Sequence, residues 1–326
     1  MTTKWWIGSY GSDMDGTSEG ISLAQSRPDG SLELVGLAAS ILSPTFIASR
    51  GNTLYAAAEG LGRIEAYRIV GDTLESIGGV SSGGGYPCQL EFIEGGLVAA
   101  NYEGGELGVI SNDLVLEQVV PSHGSGPHPE QAGPHAHRAF RLNETTLLSA
   151  DLGADRVFVH SIEGGRITRT GEAVLPPGTG PRDIELHPSG LIYVLGEHGR
   201  DLHVFEWLDE ELVPVTSAAL PGALENDQAA AVRFGADGRF VYAGLRGSNL
   251  IAVLEASDDG RTLTPVASVS TAGDWPRNLI VDGDLLHVAN QRSNTIASFR
   301  LGSDGIPVLI AEPTPFASPT YLLAHA

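Results

Sequence analysis

Hydrophobic and polar positions alternate along this chain in short runs separated by Gly, Asp and Pro. "GLIYVLGEHG" from Gly190, "DLHVFEW" from Asp201, "LVPVTSAAL" from Leu212, "RFVYAGLRG" from Arg239 and "NLIAVLEA" from Asn249 all have a period of two, and β-branched and aromatic residues are enriched in them. That pattern predicts half-buried β-strands. No stretch carries the apolar stripe of a three-turn amphipathic helix.

The runs repeat. "SPTFIASRGNTLYAAAEGLGRIEAYRI" from Ser43, "YPCQLEFIEGGLVAANYEGGELGVI" from Tyr86, "GPHAHRAFRLNETTLLSADLGADRVFVH" from Gly133, "GPRDIELHPSGLIYVLGEHGRDLHVFEW" from Gly180 and "WPRNLIVDGDLLHVANQRSNTIASFRL" from Trp275 share one plan. Each has a proline near its start, a strand, a turn, a second strand ending in a polar residue, and a third strand. "AAAVRFGADGRFVYAGLRGSNLIAVLEA" from Ala229 follows it without the proline. The marker prolines are Pro44, Pro87, Pro134, Pro181, Pro276 and Pro319. A period of about 40 to 50 residues with four strands per unit predicts β-propeller blades.

"SPTYLLAHA" at the C-terminus supplies a first strand alone, and "KWWIGSYG", "GISLAQSR" and "SLELVGLAA" near the N-terminus supply the three that are missing. The chain is therefore expected to be all-β: a seven-bladed β-propeller of four-stranded antiparallel blades, its ring closed by N- and C-terminal strands sharing one blade. Residues 1-326 are expected to form one domain. Six blades and a β-solenoid are the alternatives, and the split unit favours closure over the caps a solenoid needs.

In such a blade the start of the first strand and the end of the second lie on one face, where polar groups converge on the ligand site by default. The first slot holds His135 and His137, Arg182 with Asp183, and Arg277 with Asn278. The second holds Glu59, Asn101 with Tyr102, Asp151, Glu197 with His198, Arg246, Gln291 with Arg292, and Ser9 with Tyr10. Asp151 in "ADLGADR" also suits a turn-forming role. Trp275 is placed either to floor the pocket or to pack.

Composition sharpens this reading. Net charge is -21, with 19 Lys and Arg in 326 residues, so nucleic acid and anionic membrane are not expected partners. Arginines recurring in these slots of an acidic chain point to a pocket for a carboxylate, phosphate or developing oxyanion. Gly (42) and Pro (19) are plentiful, which fits many turns. The single cysteine, Cys88, excludes a disulfide framework and a Cys-rich zinc site. No charged n-region precedes an apolar h-region in "MTTKWWIGSYGS", and no apolar run is long enough to span a membrane, so a cytoplasmic location is expected.

"GPRDIELHPSGLIYVLGE", "AVRFGADGRFVYAGLRGSN", "ANYEGGELGV" and "HPEQAGPHAHRAFRLNETTLLSADLGADRV" resemble the seven-bladed propeller lactonases. That family includes bacterial 6-phosphogluconolactonases and carboxymuconate-cyclising enzymes, and the resemblance covers nearly the whole chain. It implies hydrolysis of a sugar lactone, 6-phosphogluconolactone first; sugar lactones open readily in water, so acid–base catalysis is expected to suffice without metal or cofactor. It places the family's histidine on His137 with His135 beside it, its arginines on Arg182 and Arg246, its glutamate on Glu197 and a glutamine on Gln131. Arg277, Asn101, Tyr102, Asp151 and Gln291 complete the expected substrate contacts. Asp183 and Glu130 stand where the family carries basic residues. Other readings are a lactonase on a non-phosphorylated sugar, a calcium-dependent propeller lactonase using Glu59, Asn101, Asp151 and Glu197, a muconate cycloisomerase, and a binding propeller without activity. The expected assembly is a monomer or weak homo-oligomer.

Overall fold

The computed structural model describes residues 3–325. Its strands form seven antiparallel sheets, which we number as blades I to VII in chain order. Blade I comprises Pro44–Arg50, Thr53–Ala58, Arg63–Val70 and Thr73–Ser81. Blades II to VI begin at Pro87, Ala136, Pro181, Gln228 and Pro276. In blade VII the last strand of the chain, Pro319–His325, pairs with the first, Lys4–Ser9, from Lys4 against His325 to Ser9 against Pro319. Gly20–Ser26 and Leu32–Ser40 complete that sheet. The only helical segments among the described residues are the 3-10 turns Ser12–Met14 and Glu59–Leu61.

Blade VI departs from the four-stranded plan. Its outer edge is two short strands, Pro307–Leu309 and Thr314–Pro315, both paired with Thr295–Leu301. Pro307 and Pro315 lack the N–H that a continuous ladder would need, so the edge is broken.

The chain divides into two compact units. One comprises Tyr10–Ile21 and Leu37–Arg182, and the other Met1–Ser9, Ser22–Gly36 and Asp183–Ala326. In the first, Ile93, Val98, Ala100 and Val109 of blade II pack on Ala139, Leu147 and Ile162 of blade III. In the second, Tyr193, Leu195 and Val204 of blade IV pack on Val232, Val241 and Leu254 of blade V. The second strands are apolar on both faces because both are covered: Ile192, Tyr193, Val194 and Leu195 are all inaccessible. Each such side chain contributes about 1.5–3 kcal/mol by leaving water. The outer strands keep the alternating pattern, since only one of their faces is covered.

A β-bulge marks the start of the first strand. The pairing shifts register between Pro44 and Phe46, Pro87 and Gln89, Ala136 and Arg138, and Pro276 and Asn278. In blade VII the same shift leaves Thr320 as the extra residue. Blade V carries its irregularity further in, between Ala229 and Val232. In blades II and IV the residue two past the slot proline reaches across to the next blade. Gln89 Oε1 accepts the Ala139 N–H (2.8 Å) within the first unit. Within the second, Asp183 Oδ2 accepts the Val232 N–H (3.1 Å) and a guanidinium N–H of Arg233 (2.8 Å). Burial pulls the Arg233 guanidinium down, but the Asp183 and Glu185 carboxylates outweigh it and hold its pKa above the usual value. The acidic Asp183 is thus a blade-to-blade fastener whose charge Arg233 neutralises.

Two histidines are sealed in the blades. His160 Nε2 lies 2.9 Å from Ser149 Oγ, and His287 Nδ1 lies 2.9 Å from Ser298 Oγ. Burial, with Arg169 adding to it, pushes His160 down to about 3, and burial pushes His287 down to about 4. Each is neutral when folded and free to protonate when unfolded, so the unfolded chain binds more protons below pH ~6.5. Stability is therefore expected to be full above that pH and to fall as pH drops toward 4, by up to ~1.4 kcal/mol per unit per histidine. Denaturant melts across that range check this. His160→Gln with His287→Gln should flatten the slope, and an unchanged slope would refute the assignment.

Candidate active site

Blade III corrects one detail of the repeat. Ala136, not Pro134, pairs with the last residue of the second strand, Asp151, in the way that Pro87 pairs with Asn101 and Pro276 with Asn290. Pro134 lies upstream of the slot, and His137 is the bulged residue, equivalent to Cys88 and Arg277. Arg182 follows Pro181 as Cys88 follows Pro87 and Arg277 follows Pro276, and so holds the same repeat position. A bulge re-aims its side chain out of the alternating pleat.

His135 occupies the position that Tyr86 fills in blade II and Trp275 in blade VI. In all three the carbonyl accepts an N–H from just beyond the second strand: Leu152 to His135 (2.9 Å), Tyr102 to Tyr86 (3.0 Å) and Gln291 to Trp275 (3.0 Å). Sequence reasoning named His135 and Trp275 separately but missed Tyr86 and the shared position, although its signal, a ring just before the slot in three repeats, is visible there.

In the first unit Tyr102, His135 and His137 come together. The His135 ring stacks on Tyr102 with centroids 4.5 Å apart, and the half-buried His137 meets the same ring edge-on at 6.1 Å. His135 Nδ1 lies 2.6 Å from the Tyr102 carbonyl oxygen, which only accepts, so Nδ1 carries the proton and Nε2 keeps its lone pair in the neutral ring.

Three of the expected substrate contacts make hydrogen bonds within the protein. Gln131 is inaccessible: its Nε2 donates to Leu152 O and to Asp155 Oδ1 (both 2.7 Å), and its Oε1 accepts the His128 N–H (3.1 Å). Asn101, also inaccessible, donates from Nδ2 to Ser82 O and Glu106 O (both 3.1 Å). Asn290 repeats the first of these bonds onto Thr271 O (3.0 Å), which identifies it as a blade-building contact. Asp151 accepts the N–H groups of His135 (2.7 Å) and Ala154 (3.1 Å) and the Ser122 hydroxyl. Burial pushes its carboxyl up, against the lowering pull of those donors. Asp151 holds the approach to His137 in place. Asp155 does the same ahead of Arg182, accepting the N–H groups of Gly178 (2.7 Å) and Gly180 (2.8 Å). Arg182 itself is buried.

In the second unit Glu197 and Arg246 form an ion pair. Arg246 Nη2 lies 2.8 Å from Glu197 Oε2, with side-chain exposures of only 5% and 8%. Arg246 ends the second strand of blade V opposite Gln228, and its guanidinium also donates to Gln228 O and Ala229 O (both 3.3 Å). It lies 5.4 Å from the centre of the Trp275 ring. The guanidinium of Arg292 lies 3.4 Å from the same centre. Gln291 is half-buried, and its Oε1 has no hydrogen-bond partner among the described residues. Arg277 is half-buried at the bulge of blade VI.

Each unit thus carries chemistry suited to opening an ester: imidazoles on an aromatic platform in one, and a fixed arginine beside a carboxylate in the other. The family model of the lactonase, 7-bladed β-propeller family matches residues 4–322, and the chain belongs to that family. It is 31% identical over 316 residues to the 6-phosphogluconolactonase of Bacillus subtilis (strain 168), with 90% of each chain covered. Among solved structures it is similar to the periplasmic gluconolactonase of Pseudomonas aeruginosa (TM-score 0.90, 26% identity, 100% of this chain and 99% of that one). It is equally similar to a protein from Lactobacillus plantarum (TM-score 0.91, 25% identity, full coverage of both).

The buried ion pair makes a quantitative prediction. Arg246→Ala removes a guanidinium from a buried carboxylate and is expected to cost about 3–5 kcal/mol of stability. Arg246→Met with Glu197→Leu should recover most of that loss. Chemical denaturation of the two variants checks it, and equal losses in both would contradict a compensated pair.

Proposed function

We propose that this chain is a sugar lactonase that opens 6-phosphogluconolactone to 6-phosphogluconate by acid–base catalysis without a metal. The carrying observation is the recurrence of His137, Arg182 and Arg277 at one repeat position, the residue that follows the first-strand slot, in a chain of net charge -21. His137 serves as base: it takes a proton from water as the oxygen attacks the carbonyl carbon, and returns it to the ring oxygen when that C–O bond breaks. Arg182 and Arg246 hold the carbonyl oxygen as it gains charge. Glu197 orients Arg246, consistent with their 2.8 Å contact. His135, Tyr102, Arg277 and Gln291 contact the sugar, and Asn101, Asp151 and Gln131 act through the backbone they hold.

Two observations support a metal-free route. The Glu197 carboxylate that a calcium ion would require is engaged by Arg246. The Glu59 carboxylate accepts the Tyr10 hydroxyl at 3.1–3.2 Å. The single-domain reading of residues 1-326 belongs to the same proposal and draws on the family match over residues 4–322; Met1, Thr2 and Ala326 lie outside the described residues. No helix among the described residues is long and apolar enough to cross a membrane. A cytoplasmic monomer or weak homo-oligomer, acting on a small lactone without nucleic-acid or membrane partners, completes the proposal. The similarity to a periplasmic gluconolactonase favours a non-phosphorylated lactone as the second reading.

Purified protein treated with chelator should accelerate proton release from 6-phosphogluconolactone, with gluconolactone and galactonolactone as comparison. His137→Ala should lower kcat by about a hundredfold or more. No acceleration on any lactone would remove the enzyme reading, loss of rate with chelator would remove the metal-free route, and a full rate in His137→Ala would unseat the base.

A further inference from the structure

Arg292, which follows the end of a second strand, is an arginine that the proposed chemistry leaves unused. It is exposed, yet its guanidinium lies 3.4 Å from the centre of the Trp275 ring, a close stack. Among the described residues no carboxylate pairs with it, although Asp and Glu number 40 in this chain. An arginine held against an indole has lost its rotamer freedom in advance, while the N–H donors along its planar edge stay available for a bidentate acceptor.

The platform beneath it is held rigidly. Trp275 has φ 65, a left-handed conformation unfavourable for a bulky residue, which persists only where the surroundings impose it. Its N–H donates to Asn249 Oδ1 (2.9 Å), its carbonyl accepts the Gln291 N–H (3.0 Å), and Asn249 Nδ2 donates to Asp274 Oδ1 (2.8 Å). The Arg292 N–H is fixed in turn by the Asp274 carbonyl (3.1 Å).

The repeat itself does not call for an arginine here. In blade II the equivalent residue is Glu103, whose N–H donates to Gly85 O at the same 3.1 Å, and Tyr86 stands at the Trp275 position. The backbone device is shared and the charge is reversed. Trp275 also places Arg292 in the surroundings of the Glu197–Arg246 pair, since both guanidiniums lie against one indole.

We propose that Arg292, laid against Trp275, is the subsite for a phosphate monoester on the lactone, and so the residue that sets preference for phosphorylated over plain sugar lactones. This rests on the lactonase reading and deepens it.

The test compares kcat/KM for 6-phosphogluconolactone and gluconolactone in wild type and Arg292→Ala. The variant is expected to lose about tenfold or more on the phosphorylated lactone, mainly through KM, as removal of a charge-assisted bidentate contact predicts. Its rate on gluconolactone should stay within about twofold, which also shows that the variant folds. Inhibition by 6-phosphogluconate should weaken in parallel. An unchanged ratio, or an equal fall on both lactones, overturns the subsite and leaves the lactonase reading standing. Wild type active only on the plain lactone does the same. Wild type inactive on both overturns the two together.

Discussion

One extra residue at the start of a blade's first strand governs what this chain can offer a ligand. In a regular antiparallel pair every side chain points to one of two faces, and in a propeller blade both faces are covered by neighbours. The bulge sets two residues against one and releases a side chain from that alternation. Thr45, Cys88, His137, Arg277 and Thr320 are the released residues. The device disturbs backbone pairing locally, and the structure compensates where it can: Gln89 and Asp183 each supply an acceptor to a backbone N–H in the following blade.

Much of the buried polarity holds the segments that lead into that device. Asp151 secures the segment before His137, and Asp155, through Gln131 and the amides of Gly178 and Gly180, secures the segment before Arg182. Such groups are buried and engaged with neighbouring backbone or side chains, so they fix the segments that lead to His137 and Arg182. The stacked His135–Tyr102 pair and the Trp275–Arg292 pair form a second layer, in which rigid rings limit how far functional side chains wander. Both layers reduce the entropy that a bound substrate would otherwise have to remove.

Charge is distributed against the overall bias. The chain carries -21, yet three of the repeat positions that follow the first-strand slots hold His137, Arg182 and Arg277, and two buried acids are engaged by arginines. Glu197 is paired with Arg246, and Asp183 is paired with Arg233. The family to which the chain belongs, the seven-bladed lactonases, is consistent with that placement, since opening a lactone develops negative charge on oxygen.

The sequence by itself determined the strand periodicity, the seven repeats, the sharing of one blade by the two ends and the slots that carry His137, Arg182, Glu197 and Arg246. These follow from local rules: alternation, turn residues and recurrence are properties of neighbouring positions. It misled at Pro134, because a proline near the right spacing looks like the marker when the pairing partner of Asp151 is unseen. It named Asn101, Asp151 and Gln131 as ligand contacts, and residue type does not reveal that the Asn101 and Gln131 amide N–H groups and the Asp151 carboxylate are engaged within the protein. Nor could it split the outer edge of blade VI or lay Arg292 on Trp275. Register, saturation and stacking are set by which atoms meet after folding, and only the tertiary structure decides that.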